Sequence, residues 1–88
     1  MEPVTSVAAF VQLHQGGDEP NEAAEIFDRL DPEERLVLRA WRVAPSDRLE
    51  WLRRHDNNEW TAATLEHVEA RASRRLRREL QRRGLWQA

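Results

Sequence analysis

A small all-α bundle of about five helices, with a helix-turn-helix and a long C-terminal helix, is the fold this chain predicts. Apolar residues recur at spacings of three and four in each longer segment. No segment alternates with period two through β-branched residues, and no Asn-Gly or Asp-Gly hairpin turn occurs. Caps and stops punctuate the chain at helix-length intervals.

Helix one is expected from Val4 to Gln15, with Val4, Val7, Ala8 and Val11 as its apolar face and Phe10 beside them. Gly16-Gly17 stop it, and a loop runs to Pro20. Asn21 caps helix two, whose buried stripe is Ala23, Ile26, Phe27 and Leu30. Asp31-Pro32-Glu33-Glu34 restarts the chain: Asp caps, Pro takes the first helical position, and Glu follows three residues after the cap. Helix three then carries Leu36, Val37, Ala40 and Trp41 and ends before Pro45. Ser46 caps a short helix four bearing Leu49, Trp51 and Leu52, and Asp56-Asn57-Asn58 is a turn. Thr61 caps helix five, which runs to about Arg83 with Gly84 as its stop. Its apolar positions are Leu65, Val68, Ala72, Leu76 and Leu80. A rise of 1.5 Å per residue makes it roughly 33 Å long, more than a three-helix core can cover. Its second half therefore projects or packs on helix one. Residues 1–30 form an N-terminal helical hairpin and residues 31–88 the helix-turn-helix part of one compact domain.

Composition narrows the function. The 88 residues are 40% hydrophobic and 34% charged, as in a small globular protein. The absence of cysteine excludes disulfides and thiolate metal sites. His14, His55 and His67 lack the paired spacing of a zinc site. No nucleophile–base pair or glycine-rich phosphate loop is present, so neither an enzyme nor a cofactor or small-molecule substrate is expected. No apolar run approaches the roughly 20 residues of a membrane span. The N-terminus has no basic leader segment, and a cytoplasmic location is the default expectation.

The net charge of −2 conceals a split. Residues 1–34 hold nine acids and one base; residues 35–88 hold thirteen arginines and seven acids. All 14 cations are arginine. The basic part must present a functional face, while the acidic part either turns away from it or covers it. The run from Arg71 to Arg83 has seven arginines and one glutamate, and reads as a ligand for phosphate or an acidic protein, or as a solvated helix face. Trp41 and Trp51 suit the core. Trp86, after Gly84, is an anchor that either folds back on helix one or meets a partner.

Helices three, four and five make a helix-turn-helix candidate, in which helix four braces across the DNA backbone and helix five offers its first turns to the major groove. At this point the residues resemble a family. Trp60 to Arg77, WTAATLEHVEARASRRLR, is similar to the closing pattern of region four of bacterial sigma factors, commonly VTRERVRQIEARALRKLR. The shared positions are Thr61, Glu69-Ala70-Arg71-Ala72, Arg74, Leu76 and Arg77. Residues 30–39 resemble the opening of that domain, and residues 48–54 fall where the family has its middle helix. The resemblance covers about residues 30–83. It implies a sigma-region-four-like fold, double-stranded DNA as a partner, and docking on the β-subunit flap of RNA polymerase through helices three and four.

That resemblance assigns roles. Thr61, Thr64 and His67 would meet the groove, and Arg71, Arg74, Arg75 and Arg78 would hold the backbone or a partner. Arg35, Arg39, Arg42 and Trp86 are the partner-binding candidates. The chain also departs from the family, whose base-reading positions are polar. Ala62, Ala63, Thr64, Glu66 and His67 stand there, and alanine offers only contact with a thymine methyl. The turn before helix five is about two residues longer than the family's. A non-enzymatic protein-interaction module that modulates polymerase or a sigma factor stays open beside the DNA-binding regulator. So does a small assembly component, as in a phage, dimerising through helix one.

Overall fold

The computed structural model describes residues 2–14 and 22–87. Among them are five α-helices and no extended strand: α1 (Val7–His14), α2 (Glu22–Asp28), α3 (Pro32–Arg39), α4 (Arg48–His55) and α5 (Ala62–Arg82). The all-α fold with a long C-terminal helix is as the sequence predicts. The expected helix-one stop at Gly16-Gly17, the loop to Pro20 and the Asn21 cap lie outside the described residues.

Helix α1 starts three residues later than its apolar pattern suggests. The Ser6 hydroxyl accepts from the Ala9 N–H at 3.0 Å and fixes the helix start there. Val4 is committed elsewhere. Its N–H donates to the Leu85 carbonyl, and its carbonyl accepts from the Gln87 N–H, each at 2.8 Å. The resulting parallel bridge between Val4 and Trp86 ties the two ends of the chain together. The face of α1 shifts accordingly: Phe10 and Val11 are buried, and Ala8 is exposed.

Helix α2 buries Ala23 and Ile26, with Leu30 beyond its end. Helix α3 begins as its cap motif requires: Glu34 Oε1 accepts from the Asp31 N–H at 2.8 Å. It then tightens into a 3₁₀ turn at Ala40–Arg42, so Trp41 lies past the α-helix proper. A second 3₁₀ turn, Pro45–Asp47, leads into α4 and contains Ser46; Asp47 stands at the cap position expected of Ser46. Helix α5 has the ends its sequence predicts. Thr61 Oγ1 accepts from the Thr64 N–H at 3.1 Å, and Gly84 takes a φ of +73° after the last turn. The Leu85 N–H then reaches back to the Leu80 carbonyl at 2.8 Å.

Two apolar clusters lie along α5. The first joins Phe10 and Val11 of α1, Ala23 and Ile26 of α2, and Leu38 of α3 to Ala72, Leu76 and Leu80. The second joins Val37, Ala40, Leu52 and Trp60 to Val68. Helix α3 serves both, because adjacent Val37 and Leu38 point to different sides; Leu38 falls outside the stripe its spacing suggests. The second half of α5 packs against α1 and α2. At roughly 32 Å for 21 residues, α5 is nearly as long as the greatest extent of the molecule, 36 Å.

Leu76 is fully buried where α5 crosses α1 and α2. Leu76→Ala removes that packing and leaves a cavity, and is expected to lower the unfolding free energy by about 3 kcal/mol. Urea denaturation followed by tryptophan fluorescence reads this directly; a loss below about 1 kcal/mol would mean that the first cluster tolerates collapse around the site.

Candidate nucleic-acid interface

The helix-turn-helix candidate consists of α3, α4, a six-residue connection from Asp56 to Thr61, and α5. Its connection is closed by side chains. The Trp60 indole N–H donates to Asp56 Oδ2 at 2.7 Å, and Arg53 Nε donates to the Trp60 carbonyl at 3.0 Å. The Trp60 ring is buried in the second cluster. The indole N–H is the main cause that holds the Asp56 carboxyl below its ordinary value, and donors from Asn58 and Asn57 assist it. Trp41 braces the other side, donating to Glu69 Oε2 at 2.9 Å while the Arg48 guanidinium lies over its ring at 5.3 Å. Trp51 stacks on His55 with ring centroids 4.1 Å apart. Both tryptophans are half-buried, packed against the two clusters.

The candidate groove residues are exposed at the start of α5: Thr61, Thr64 and His67, with Ala62, Ala63 and Glu66 between them. The two threonine hydroxyls lie 2.8 Å apart and hydrogen-bond to each other. A turn of 100° per residue places His67, Arg74 and Arg78 within roughly 20° of one line along the helix. Arg71 and Arg75 are rotated away by roughly 40° and 80° toward α3.

That rotation divides the arginine run. Arg71 and Arg75 converge on Glu34, whose side chain is fully buried. Arg71 Nε donates to Glu34 Oε2 at 3.1 Å, and Arg75 Nη1 to Glu34 Oε1 at 2.7 Å. Arg71 also bonds Glu33, and Arg75 bonds Asp31 at 3.1 Å. These bonds, Glu33 first and Glu34 second, raise the Arg71 pKa further. Arg83 is held by Glu79 at 2.9 Å and by Glu22 and Glu25 at 3.3 and 3.5 Å. Arg82 bonds Glu79 at 2.6 Å. Among the described residues Arg74 and Arg78 have no acidic partner, and Arg77 lies over the Trp86 ring at 4.9 Å. The acidic N-terminal part therefore covers one flank of α5 and leaves the opposite one open.

The partner candidates are not gathered in one place. Arg35 is half-buried against Asp28, donating to its carbonyl at 3.4 Å. Arg39 is exposed, and Arg42 lies 6.0 Å from the Trp51 ring centroid. Trp86 is half-buried against the first cluster, bridged to Val4. Its backbone contact is with Val4, ahead of α1, and its ring lies under Arg77. Sequence reasoning did not single out Glu34 or Glu79. The cap motif accounts for a glutamate at 34 but holds no sign of partners 37 and 41 residues away. Glu79 carried a hint, as the one acid within the arginine run. No group of three or more potential metal ligands occurs among the described residues, nor a helix long and apolar enough to cross a membrane.

Glu34→Gln keeps the bond to the Asp31 N–H but removes the charge that gathers two guanidiniums. Both arginines keep access to water, so the expected cost is about 2 kcal/mol, below the value for stranding a fully buried partner. Thermal or urea unfolding measures it; no change would make the triad incidental. Acid should weaken the fold through two carboxylates, Glu79 and Asp56. Burial would raise the Glu79 pKa, but hydrogen bonds from Arg83 and Arg82 and the charge of Arg29 outweigh it and hold the carboxyl low. Glu79 and Asp56, both depressed in the folded state, stabilise the fold fully above the ordinary carboxylate range of about 4. That contribution is lost as pH falls through their lower folded values. Glu79→Gln should flatten the acid limb of a circular-dichroism pH titration.

No family model, curated protein or solved structure matches this chain, so α5, its neighbours and the charges left open along it are the ground for a functional reading.

Proposed function

We propose that this chain is a small helix-turn-helix transcription regulator that meets double-stranded DNA with the outward face of α5. One observation supports this most: His67, Arg74 and Arg78 share one exposed line, and the two arginines have no acidic partner among the described residues. Thr61 and Thr64 stand at the tip of the same helix. Contact is weighted toward phosphate. Ala62 and Ala63 carry no hydrogen-bonding side chain, and Glu66 accepts only, so base discrimination is weak. Arg71 and Arg75 serve this reading indirectly, by seating α5 on α3.

A second reading is an interaction module of the transcription apparatus, with RNA polymerase as its partner. It is favoured by the charge of the stretch between α3 and the arginine run of α5. From Ala40 to Ala70 the acids Asp47, Glu50, Asp56, Glu59, Glu66 and Glu69 outnumber Arg42, Arg48, Arg53 and Arg54. The exposed Arg42, beside the Trp51 ring on which His55 stacks, forms the surface such a partner would use.

Fluorescence anisotropy with a labelled random duplex separates the two. Neutralising two or three phosphates predicts a slope of about −2 to −3 for log affinity against log salt. The double variant Arg74→Ala/Arg78→Ala should weaken binding by at least about tenfold at low salt and flatten the slope by about 2. Absence of duplex binding at low salt would reject the DNA reading, and capture of purified RNA polymerase would then favour the second.

A further inference from the structure

A cleft runs between the end of α2 and the later turns of α5, lined by Arg29, Leu30, Arg75, Arg78, Glu79 and Arg82. We infer that it is a binding site for a phosphate group. Four arginines and one glutamate line it, and the Arg75 guanidinium is already met by Asp31 and Glu34. Arg75, Arg78 and Arg82 recur at spacings of three and four, so they stack along one side of α5, and Arg29 closes the cleft from the turn after α2.

Glu79 fixes this cluster without neutralising it. Its side chain is 13% exposed and holds Arg82 at 2.6 Å, Arg83 at 2.9 Å and Arg29 at 3.5 Å. One negative charge thus orders two cations of the cleft, Arg29 and Arg82, and also Arg83 outside it, which Glu22 and Glu25 share. Arg78 adds another with no acidic partner among the described residues, while Arg75 is shared with Asp31 and Glu34. Guanidinium groups held in place but underneutralised match an oxyanion with several acceptor oxygens. A carboxylate ligand would satisfy one arginine fork and leave the remaining charge unmet, whereas a phosphate can accept from several at once. Leu30 is the one apolar residue of the lining, and no aromatic ring lies in it, so the site takes the phosphate group rather than an attached base or apolar tail.

The phosphate can be free, as inorganic phosphate or a monoester, or belong to a nucleic-acid strand. Arg78 lies both in the cleft and on the exposed line of α5, so a strand crossing Arg74 can continue into the cleft. That second source rests on the DNA reading above; the first does not.

Inorganic phosphate titrated against chloride at constant ionic strength tests the site, with the arginine Nε–Hε resonances of the full chain as readout. Saturable shifts are expected at Arg29, Arg78 and Arg82. Arg29→Ala and Arg78→Ala should each weaken the response about tenfold, the loss of one charge-assisted contact. Arg74→Ala, outside the cleft, should leave it unchanged. Arg29 is 59% exposed, so its variant tests the site without disturbing the core. Shifts matched by chloride, or spread equally over Arg74 and Arg77, would overturn the proposal. The source follows from the same variant on the random duplex. Given the phosphate response, a threefold or greater loss of duplex affinity in Arg29→Ala supports a nucleic-acid phosphate. Unchanged duplex affinity, or no duplex binding by the wild-type chain, supports the free form.

Discussion

The buried carboxylate of Glu34 is the constraint around which the rest of the molecule is arranged. It accepts from the Asp31 N–H, from Arg71 and from Arg75, so one group caps α3 and joins it to the middle of α5. Burying an ionised carboxylate costs several kcal/mol unless its lone pairs are met, and three donors meet them here. The contrast is the pair Arg54–Glu50, equally short at 2.7 Å but 73% and 68% exposed. Water screens that pair, whose worth is about 0–1 kcal/mol. Distance alone does not separate the two interactions; burial does.

Seating α5 through Glu34 has consequences in both directions along the helix. Toward its start, Val68 meets Leu52 and Trp60, and the connection from α4 is pinned by Asp56 and Arg53. Toward its end, Leu76 and Leu80 take the side chains of α1 and α2, and the tail beyond Gly84 returns to Val4. One helix thus belongs to two cores, with Ala72 and Leu76 continuing the stripe that Val68 begins. The triad also selects which arginines stay available. By turning Arg71 and Arg75 toward α3, it leaves Arg74 and Arg78 on the outward line.

The uneven charge distribution becomes a spatial one. Asp31, Glu33 and Glu34 meet Arg71 and Arg75, while Glu22 and Glu25 meet Arg83. The acidic part is a clamp on one flank of the basic helix, which explains how a chain of net charge −2 retains an exposed cationic strip. It also means that a count of arginines overstates the charge α5 can offer a ligand. Glu79 does the reverse at the far end: a single acid holds several cations close together.

Local chemistry settled much of the fold in advance. Thr61 and Gly84 bound α5, Asp31 with Glu34 starts α3, and the spacing of Val68, Ala72, Leu76 and Leu80 names the buried stripe, because caps and amphipathic periodicity act within a turn or two of chain. The exposure of Thr61, Thr64, His67, Arg74 and Arg78 was likewise legible from their place opposite that stripe. What lay beyond the sequence depends on contacts between distant residues. Val4 looked helical until the C-terminal tail claimed its backbone groups. Leu38 looked peripheral until the cluster with α1 and α2 formed on its side of α3. Arg71 and Arg75 looked equivalent to Arg74 and Arg78, since composition and spacing are the same for all four. Only packing places Glu34 against two of them, because a helix sequence states which residues share a face and not what that face will meet.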